Sequence, residues 1–262
     1  MITPFVAILI MVFVIVFIAL YKKPHRKIQL PDGYKDLLAA HIIFYRNLES
    51  EDKIRFERKL EDFLGYIQIT GVQTEVNDLD RLLVASSAVI PIFGFTEWRY
   101  YNLSEVLLFK DRFNSDNYSL SGNERDVLGM VGNGAMQMQM ILSKPDLYKG
   151  FGISGGYENA GIHEFVHLLD KEDGAVDGIP EALLKKEYSI PWIHMMSANI
   201  AAMKSGKSDI NIYGATNHAE FFAVAAEYFF EKPDKFKEKH PELYTMLAEI
   251  FRQKPQMRIG VR

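Results

Sequence analysis

Residues 161 to 170 read Gly-Ile-His-Glu-Phe-Val-His-Leu-Leu-Asp, and no other stretch limits the fold of this chain so tightly. Its chemistry lies in His163, Glu164 and His167. Side chains four residues apart share a face on a helix. Phe165, Val166, Leu168 and Leu169 supply the buried side such a helix needs, and no proline interrupts it before Pro180. Zn²⁺ takes imidazole nitrogens readily, and a catalytic site uses three protein ligands with the fourth position left to water. Glu164, next to the first histidine, is placed to act on that water as general base. The competing reading is a pair of core or surface histidines on an amphipathic helix. It requires this spacing to arise by chance in a chain of 262 residues with 7 histidines.

The residues beyond the motif select the third ligand. A metzincin would carry glycine at 170 and histidine at 173; this chain has Asp170 and Asp173, which excludes that branch. The other branch takes a glutamate from a later helix. Residues 217–230, Asn-His-Ala-Glu-Phe-Phe-Ala-Val-Ala-Ala-Glu-Tyr-Phe-Phe, form an apolar helical run containing Glu220 and Glu227, seven apart and so on one face. Charged groups rarely sit in such a run unless paired or coordinated. Glu220 is the expected third ligand, and Glu227 the residue that orients a ligand or pairs with a buried cation, with an exchange of the two roles as the alternative. An ordinary half-exposed helix is the plain reading of both carboxylates. His218 is a rival ligand, but its offset of two from Glu220 turns it to another face. Asp170 lies on the ligand side of the first helix and fits the carboxylate that a metal-bound histidine commonly engages through its second N–H. A plain helix-end aspartate fits equally well.

The N-terminus carries a different signal. From Ile2 to Leu20 only Thr3 and Pro4 are not apolar, and nineteen helical residues span roughly 28 Å, close to the hydrocarbon thickness of a bilayer. No Lys or Arg precedes the run, whereas Lys22, Lys23, Arg26 and Lys27 lie after it. A cleaved secretory leader has the opposite charge order, so the expectation is an uncleaved single-pass anchor in the inner membrane with the next domain in the cytoplasm. The organisation expected is therefore an anchor over 1–21, a basic linker over 22–33 and one domain over 34–262. The chain has no cysteine, which excludes disulfides and thiolate metal sites, and its net charge of −4 lacks a basic cluster outside 22–27. Nucleic-acid binding has no support in that distribution.

Periodicity gives a coarse outline. Residues 34–47 and 51–64 read as amphipathic helices, the second with a solvated charged face. Residues 79–90 read as an apolar helix ending at Pro91, 104–110 as a strand, and 190–204 as a packed helix with Met195, Met196 and Met203 as core filler. Residues 135–142 alternate, with Met136, Met138 and Met140 on one face and Gln137 and Gln139 on the other, the pattern of a half-buried strand. Gly129–Gly134 and Gly150–Gly156 read as loops bracketing it, without the spacing of a phosphate cradle.

Taken together, the stretches 90–109, 140–151, 161–180 and 218–230 resemble the zinc-dependent peptidase family typified by Mlc titration factor A, over roughly residues 30 to 255. That family is similar in fold to the catalytic domain of anthrax lethal factor. The resemblance implies an α+β, zincin-like domain of the gluzincin type with a mainly helical N-terminal part. It implies His163, His167 and Glu220 as zinc ligands, Glu164 as the catalytic carboxylate, and Tyr213 as the phenol that stabilises the oxyanion. From the residues alone, Tyr213 ahead of Gly214 reads equally as a loop aromatic packed on the core. In zincins an edge strand near the metal helix binds substrate backbone by strand addition, which would make 135–142 that edge and place Gln137 and Gln139 at the substrate; any half-buried strand is the plainer account. The function expected is a membrane-anchored zinc peptidase acting on peptides or proteins. The second reading is a regulatory protein that sequesters a transcription factor or signalling partner, with a metal site of little catalytic use. An intact Glu164 favours the first, since a structural metal site needs no general base.

Overall fold

A computed structural model describes residues 27–112, 129–131, 138–152 and 158–255. The expected anchor and the first residues of the linker lie outside them. Among the described residues no helix is long and apolar enough to cross a membrane.

The described residues open with helices α1 (Tyr34–His41), α2 (Ile43–Asn47) and α3 (Ser50–Tyr66). The single helix expected over 34–47 is divided at Ile42, which adopts an extended backbone (φ −107°, ψ 99°) while its N–H still closes on Leu38. The break lets Leu38, Ile42 and Tyr45 all reach the core. On α3 the apolar stripe Phe56, Leu60 and Phe63 is buried at helical spacing. Its charged face is solvated except at Glu57, which accepts hydrogen bonds from the phenols of Tyr34 (2.8 Å) and Tyr45 (2.7 Å) and so ties α1 and α2 to α3.

Strand β1 (Gln68–Val72) leads into α4 (Asp78–Ile92), where Asn77 and Asp80 form a reciprocal capping box. The helix runs past Pro91, contrary to the expected stop, because the proline sits in its last turn and Ile92 completes the buried face. Strands β2 (Glu105–Phe109), β3 (Gly129–Val131) and β4 (Gln139–Ser143) complete one sheet in the order β1-β2-β4-β3. β1, β2 and β4 are parallel, and β3 is antiparallel at one side.

This order corrects the strand expected over 135–142. It starts at Gln139 in the described residues and lies inside the sheet, hydrogen-bonded to β2 and to β3, so it is not an edge. Met140, Ile141 and Leu142 are consecutive and all buried, as expected for a parallel strand covered on both faces. Met138, placed by alternation on the buried face, is 41% exposed ahead of the strand. Gly129 to Val131, expected as loop, form β3 instead.

From β4 the chain enters α5 (Lys144–Gly150) without a connecting residue, and Ser143 caps that helix. Helix α6 (Ala160–Asp170) carries the His-Glu-x-x-His pattern and is followed by a 3-10 turn, Lys171–Asp173. Then come α7 (Lys186–Lys204), a 3-10 turn at Ile212–Ala215, α8 (His218–Glu231), α9 (Pro233–Lys239) and α10 (Pro241–Phe251). On α7, Met196 and Met203 are buried as expected and Met195 is half-buried. The result is a mainly helical α+β architecture with a small, largely parallel sheet. Aromatic side chains fill the space between α8 and α10, with Phe222 stacked on Phe251 at 5.7 Å between ring centroids.

Helix α6 is central, packed against α4 on one side and α8 on the other, with β3 beside it. Its approach to α4 depends on Gly161: a Cβ there would lie 2.1 Å from Ser87 Oγ and 2.8 Å from Ser87 Cβ. Gly161→Ala is therefore expected to overpack this contact at a cost of about 1–3 kcal/mol, read as a lower denaturation midpoint. Combined with Ser87→Gly it should cost less than the sum of the two single changes. Strict additivity would show that the two helices do not meet here.

Candidate metal centre

Asn159 starts the motif helix: its side chain accepts the N–H of Ile162 and its carbonyl accepts the N–H of His163. One turn on, His167 lies beside His163 with ring centroids 4.7 Å apart. Helix α8 crosses α6 so that Glu220, in its first turn and capped by Asn217, faces both rings. His163 Nε2 stands 3.0 Å from Glu220 Oε2 and 3.1 Å from His167 Nε2; His167 Nε2 is 3.5 Å from the same oxygen. One donor atom from each residue thus falls within 4.8 Å of the others.

Glu227 Oε1 lies 2.7 Å from His163 Nδ1. A carboxylate there accepts the Nδ1 proton, so that whenever the ring is neutral its lone pair is on Nε2, the nitrogen facing Glu220 and His167. Two imidazole nitrogens and a carboxylate oxygen meeting at one point fit a borderline cation such as Zn²⁺. The electrostatics of the side chains agree. Burial opposes charge on His163, yet the bonds from Glu220 and Glu227 outweigh it and raise its proton affinity well above the ordinary value. Burial also opposes ionisation of Glu220, but His163 and His167 hold its carboxyl at about 2. A group of lone pairs and carboxylates that attracts protons this strongly will also attract a cation.

Glu164 is buried on the same helix, and desolvation raises its carboxyl above the usual range, with the charges of His163 and His167 acting the other way. Glu227 is buried too and raised chiefly by burial; its second oxygen accepts the backbone N–H of Asn159 at 2.6 Å. Of the two glutamates of α8, Glu220 lies at the cluster and Glu227 behind His163.

Asp170 occupies another position. It is fully buried, and its Oδ2 accepts the N–H of Gly178 at 2.8 Å. Burial lifts its carboxyl to about 6. Among the described residues, Asp170 Oδ1 and His167 Nδ1 are both buried without a hydrogen-bond partner, so no bond joins Asp170 to a histidine. What it holds is the turn at Gly178, whose carbonyl accepts the Trp192 indole N–H at 2.6 Å. Gly178 has φ +81°, and a Cβ on it would lie 2.3 Å from the His218 carbonyl oxygen. The turn therefore presses on the start of α8, just before Glu220.

Tyr213 sits on the 3-10 turn, where Asn211 Oδ1 accepts its N–H and its carbonyl accepts the Thr216 hydroxyl. Its ring is 54% exposed and 6.0 Å from the His163 ring, at the rim of the site and outside the core. Burial and then the charges of Glu220 and Glu164 raise its phenol above the ordinary value, so it stays protonated at neutral pH. His218 turns away to within 3.3 Å of Ser197 Oγ. Gln139, expected at the substrate, donates instead to Glu105 Oε2 (2.8 Å), whose other oxygen accepts from Thr70 (2.6 Å), a row of contacts across the sheet. Gln137 lies outside the described residues.

Sequence reasoning passes over two residues that the geometry ties to the site, Asn159 and Glu231. Asn159 carries a readable signal, an asparagine at the start of an apolar helix. Glu231 carries a weaker one, four residues beyond Glu227 and so on the face shared with Glu220.

Comparison with known proteins agrees with this geometry. The family model described as glucose-regulated metallo-peptidase M90 matches residues 19–252. The chain is 30% identical over 241 residues to a protein named Mlc titration factor A from Escherichia fergusonii, covering 86% of this chain and 88% of that one. A protein of the same name from Salmonella gallinarum is 29% identical over 243 residues, covering 87% and 88%. An uncharacterized protein of Synechocystis is 28% identical over 238 residues, covering 86% of each.

Alanine at His163, His167 or Glu220 is expected to abolish stoichiometric metal binding, whereas Glu227→Ala should weaken it by roughly 10–100-fold. Metal analysis of the four purified variants checks this. A Glu227 variant alone free of metal would reverse the two glutamate roles.

Proposed function

The chain belongs to the glucose-regulated metallo-peptidase family M90, and from that premise we propose that it is a zinc peptidase, anchored in the membrane, that hydrolyses peptide bonds with Glu164 as general base. The observation that carries this reading is the convergence of His163, His167 and Glu220, with the buried Glu164 on the same helix. These three residues would hold the zinc ion. The chemistry the ion supplies is Lewis acidity, acting on water and on the carbonyl of the bond to be cut.

The remaining work falls to side chains. Glu164 takes a proton from the attacking water at its carboxylate and passes it to the departing amine. Its burial suits this exchange, because desolvation raises its affinity for the proton it must hold. Tyr213, protonated at the rim, donates its hydroxyl to the oxyanion that develops on the carbonyl oxygen. Glu227 keeps His163 in one tautomer and one orientation. A zincin-like gluzincin fold is supported by the helix order, with the histidines on α6 and the glutamate on the later α8, and by the antiparallel β3 beside α6.

Anchoring rests on the apolar run from Ile2 to Leu20 and on the basic residues just after it, which favour a cytoplasmic domain at the inner membrane. Protease added to intact spheroplasts should leave that domain uncut, and its digestion from outside would reverse the orientation.

A second reading has one observation in its favour. The name Mlc titration factor A, borne by relatives covering most of this chain, points to capture of a regulatory protein. Under that reading the partner is bound and peptides are not cut.

Cleavage of a peptide library by the full-length chain in detergent, with and without a chelator, separates the two. Glu164→Gln should retain zinc and lose about 10²–10⁴-fold in turnover. Tyr213→Phe should retain zinc and fold, with kcat reduced about 10²–10³-fold and KM nearly unchanged. Lower thermal stability at unchanged kcat would instead make Tyr213 structural, and a zinc-loaded protein that cleaves no member of the library would favour partner capture.

A further inference from the structure

Asn159 is fully buried, and all its hydrogen-bonding groups are engaged. Oδ1 accepts from Ile162 N at 3.1 Å, and the carbonyl accepts from His163 N at 2.9 Å. Nδ2 donates to Glu231 Oε1 at 2.8 Å and to the Gly150 carbonyl at 3.3 Å. The backbone N–H donates to Glu227 Oε2 at 2.6 Å. One residue thus starts the helix that carries both histidines and grips two carboxylates of the helix that carries Glu220.

Glu227 and Glu231 lie one turn apart on α8, and each directs a carboxylate oxygen at Asn159. Glu227 is buried and Glu231 half-buried, and two such groups this close repel if both are ionised. Burial, reinforced by the charge of Glu227, lifts the Glu231 carboxyl to about 7. A Glu231 that holds its proton relieves the repulsion and still offers Asn159 an acceptor. Capping alone needs only Oδ1, which satisfies one of the four free N–H groups at the start of the helix.

We propose that Asn159 and Glu231 form an outer clamp that fixes Glu227, and through it the aim of His163 Nε2, so that both act as positioning residues of the metal centre. The proposal rests on the reading of His163, His167 and Glu220 as that centre. The chain of contacts is continuous: Glu231 to the Asn159 amide, Asn159 N–H to Glu227, Glu227 to His163 Nδ1. Residues this far behind a ligand act through orientation, so their loss weakens metal binding without removing a donor atom.

The test uses the full-length, metal-free protein in detergent and titrates it with Zn²⁺ and, separately, with Co²⁺, whose visible absorption reports ligand geometry. Glu231→Leu removes the acceptor of the Asn159 amide. It should raise the zinc Kd at least about 10-fold, within the range known for residues behind metal ligands, and shift the cobalt spectrum. Glu231→Gln keeps an oxygen in place and should bind both metals like the parent. Asn159→Asp keeps the cap but loses the donor to Glu231, and should weaken zinc as Glu231→Leu does; it carries the test if the leucine variant does not fold. An unchanged Kd and cobalt spectrum in either folded variant, even with a lower Tm, would overturn the clamp and reduce both residues to packing. His163→Ala is the separate control. Parent-like metal affinity in that variant would overturn the metal site itself, whereas loss of metal there with unchanged Glu231→Leu would overturn the clamp alone.

Discussion

A carboxylate shared between two helices underlies this structure. Glu227 is buried, and a charge in that position costs several kcal/mol unless it is compensated. The two groups that compensate it, His163 Nδ1 and the N–H of Asn159, belong to the start of the same helix. The crossing of α6 and α8 is thereby set by electrostatics as well as by apolar packing. Any rotation of α8 that keeps its phenylalanines buried but moves Glu227 leaves a charge without a partner. Glu220, two turns earlier on the same face, is carried to the histidines by the same constraint.

A second connection supports the first from the opposite end. Asp170 closes α6 and grips the turn at Gly178, and that turn rests on the His218 carbonyl and on Trp192. The ends of the ligand-bearing segment are thus fastened to α8 at two points, by Asn159 with Glu227 and by Asp170 through Gly178. Farther along, Asp209 accepts from the Tyr228 hydroxyl and from His240, which links the segment ahead of Tyr213 to α8 and α10. The Asp209 carboxyl lies at about 2: burial opposes its ionisation, and the bonds from His240 and Tyr228 prevail.

The sequence discloses the parts of this arrangement whose chemistry is local. The pattern of His163, Glu164 and His167 points to a helix, and a heptad between two carboxylates in an apolar run gives them a common face, so the cluster is legible, while which glutamate meets the histidines is left open by spacing alone. The break at Ile42 is not, because an extended residue inside an apolar stripe leaves the stripe intact. Nor is the interior position of β4, since alternation over 135–142 mimics a half-buried edge, whereas partners on both sides come from segments distant in sequence. Spacing places Asp170 on the ligand face and so suggests a histidine partner. It does not show that the glycine turn eight residues on competes for the same carboxylate. The sheet contacts of Gln139 are hidden for the same reason, as Glu105 is distant along the chain.

Gly161 gives the site an asymmetry. On its α4 side helix α6 has only a glycine at the contact, and the Ser87 side chain and a Leu147 methyl close directly on its backbone. Toward Tyr213 the boundary is a short exposed turn held by a few hydrogen bonds. The site thus has a close-packed floor at Gly161 and Ser87 and an exposed rim at Tyr213.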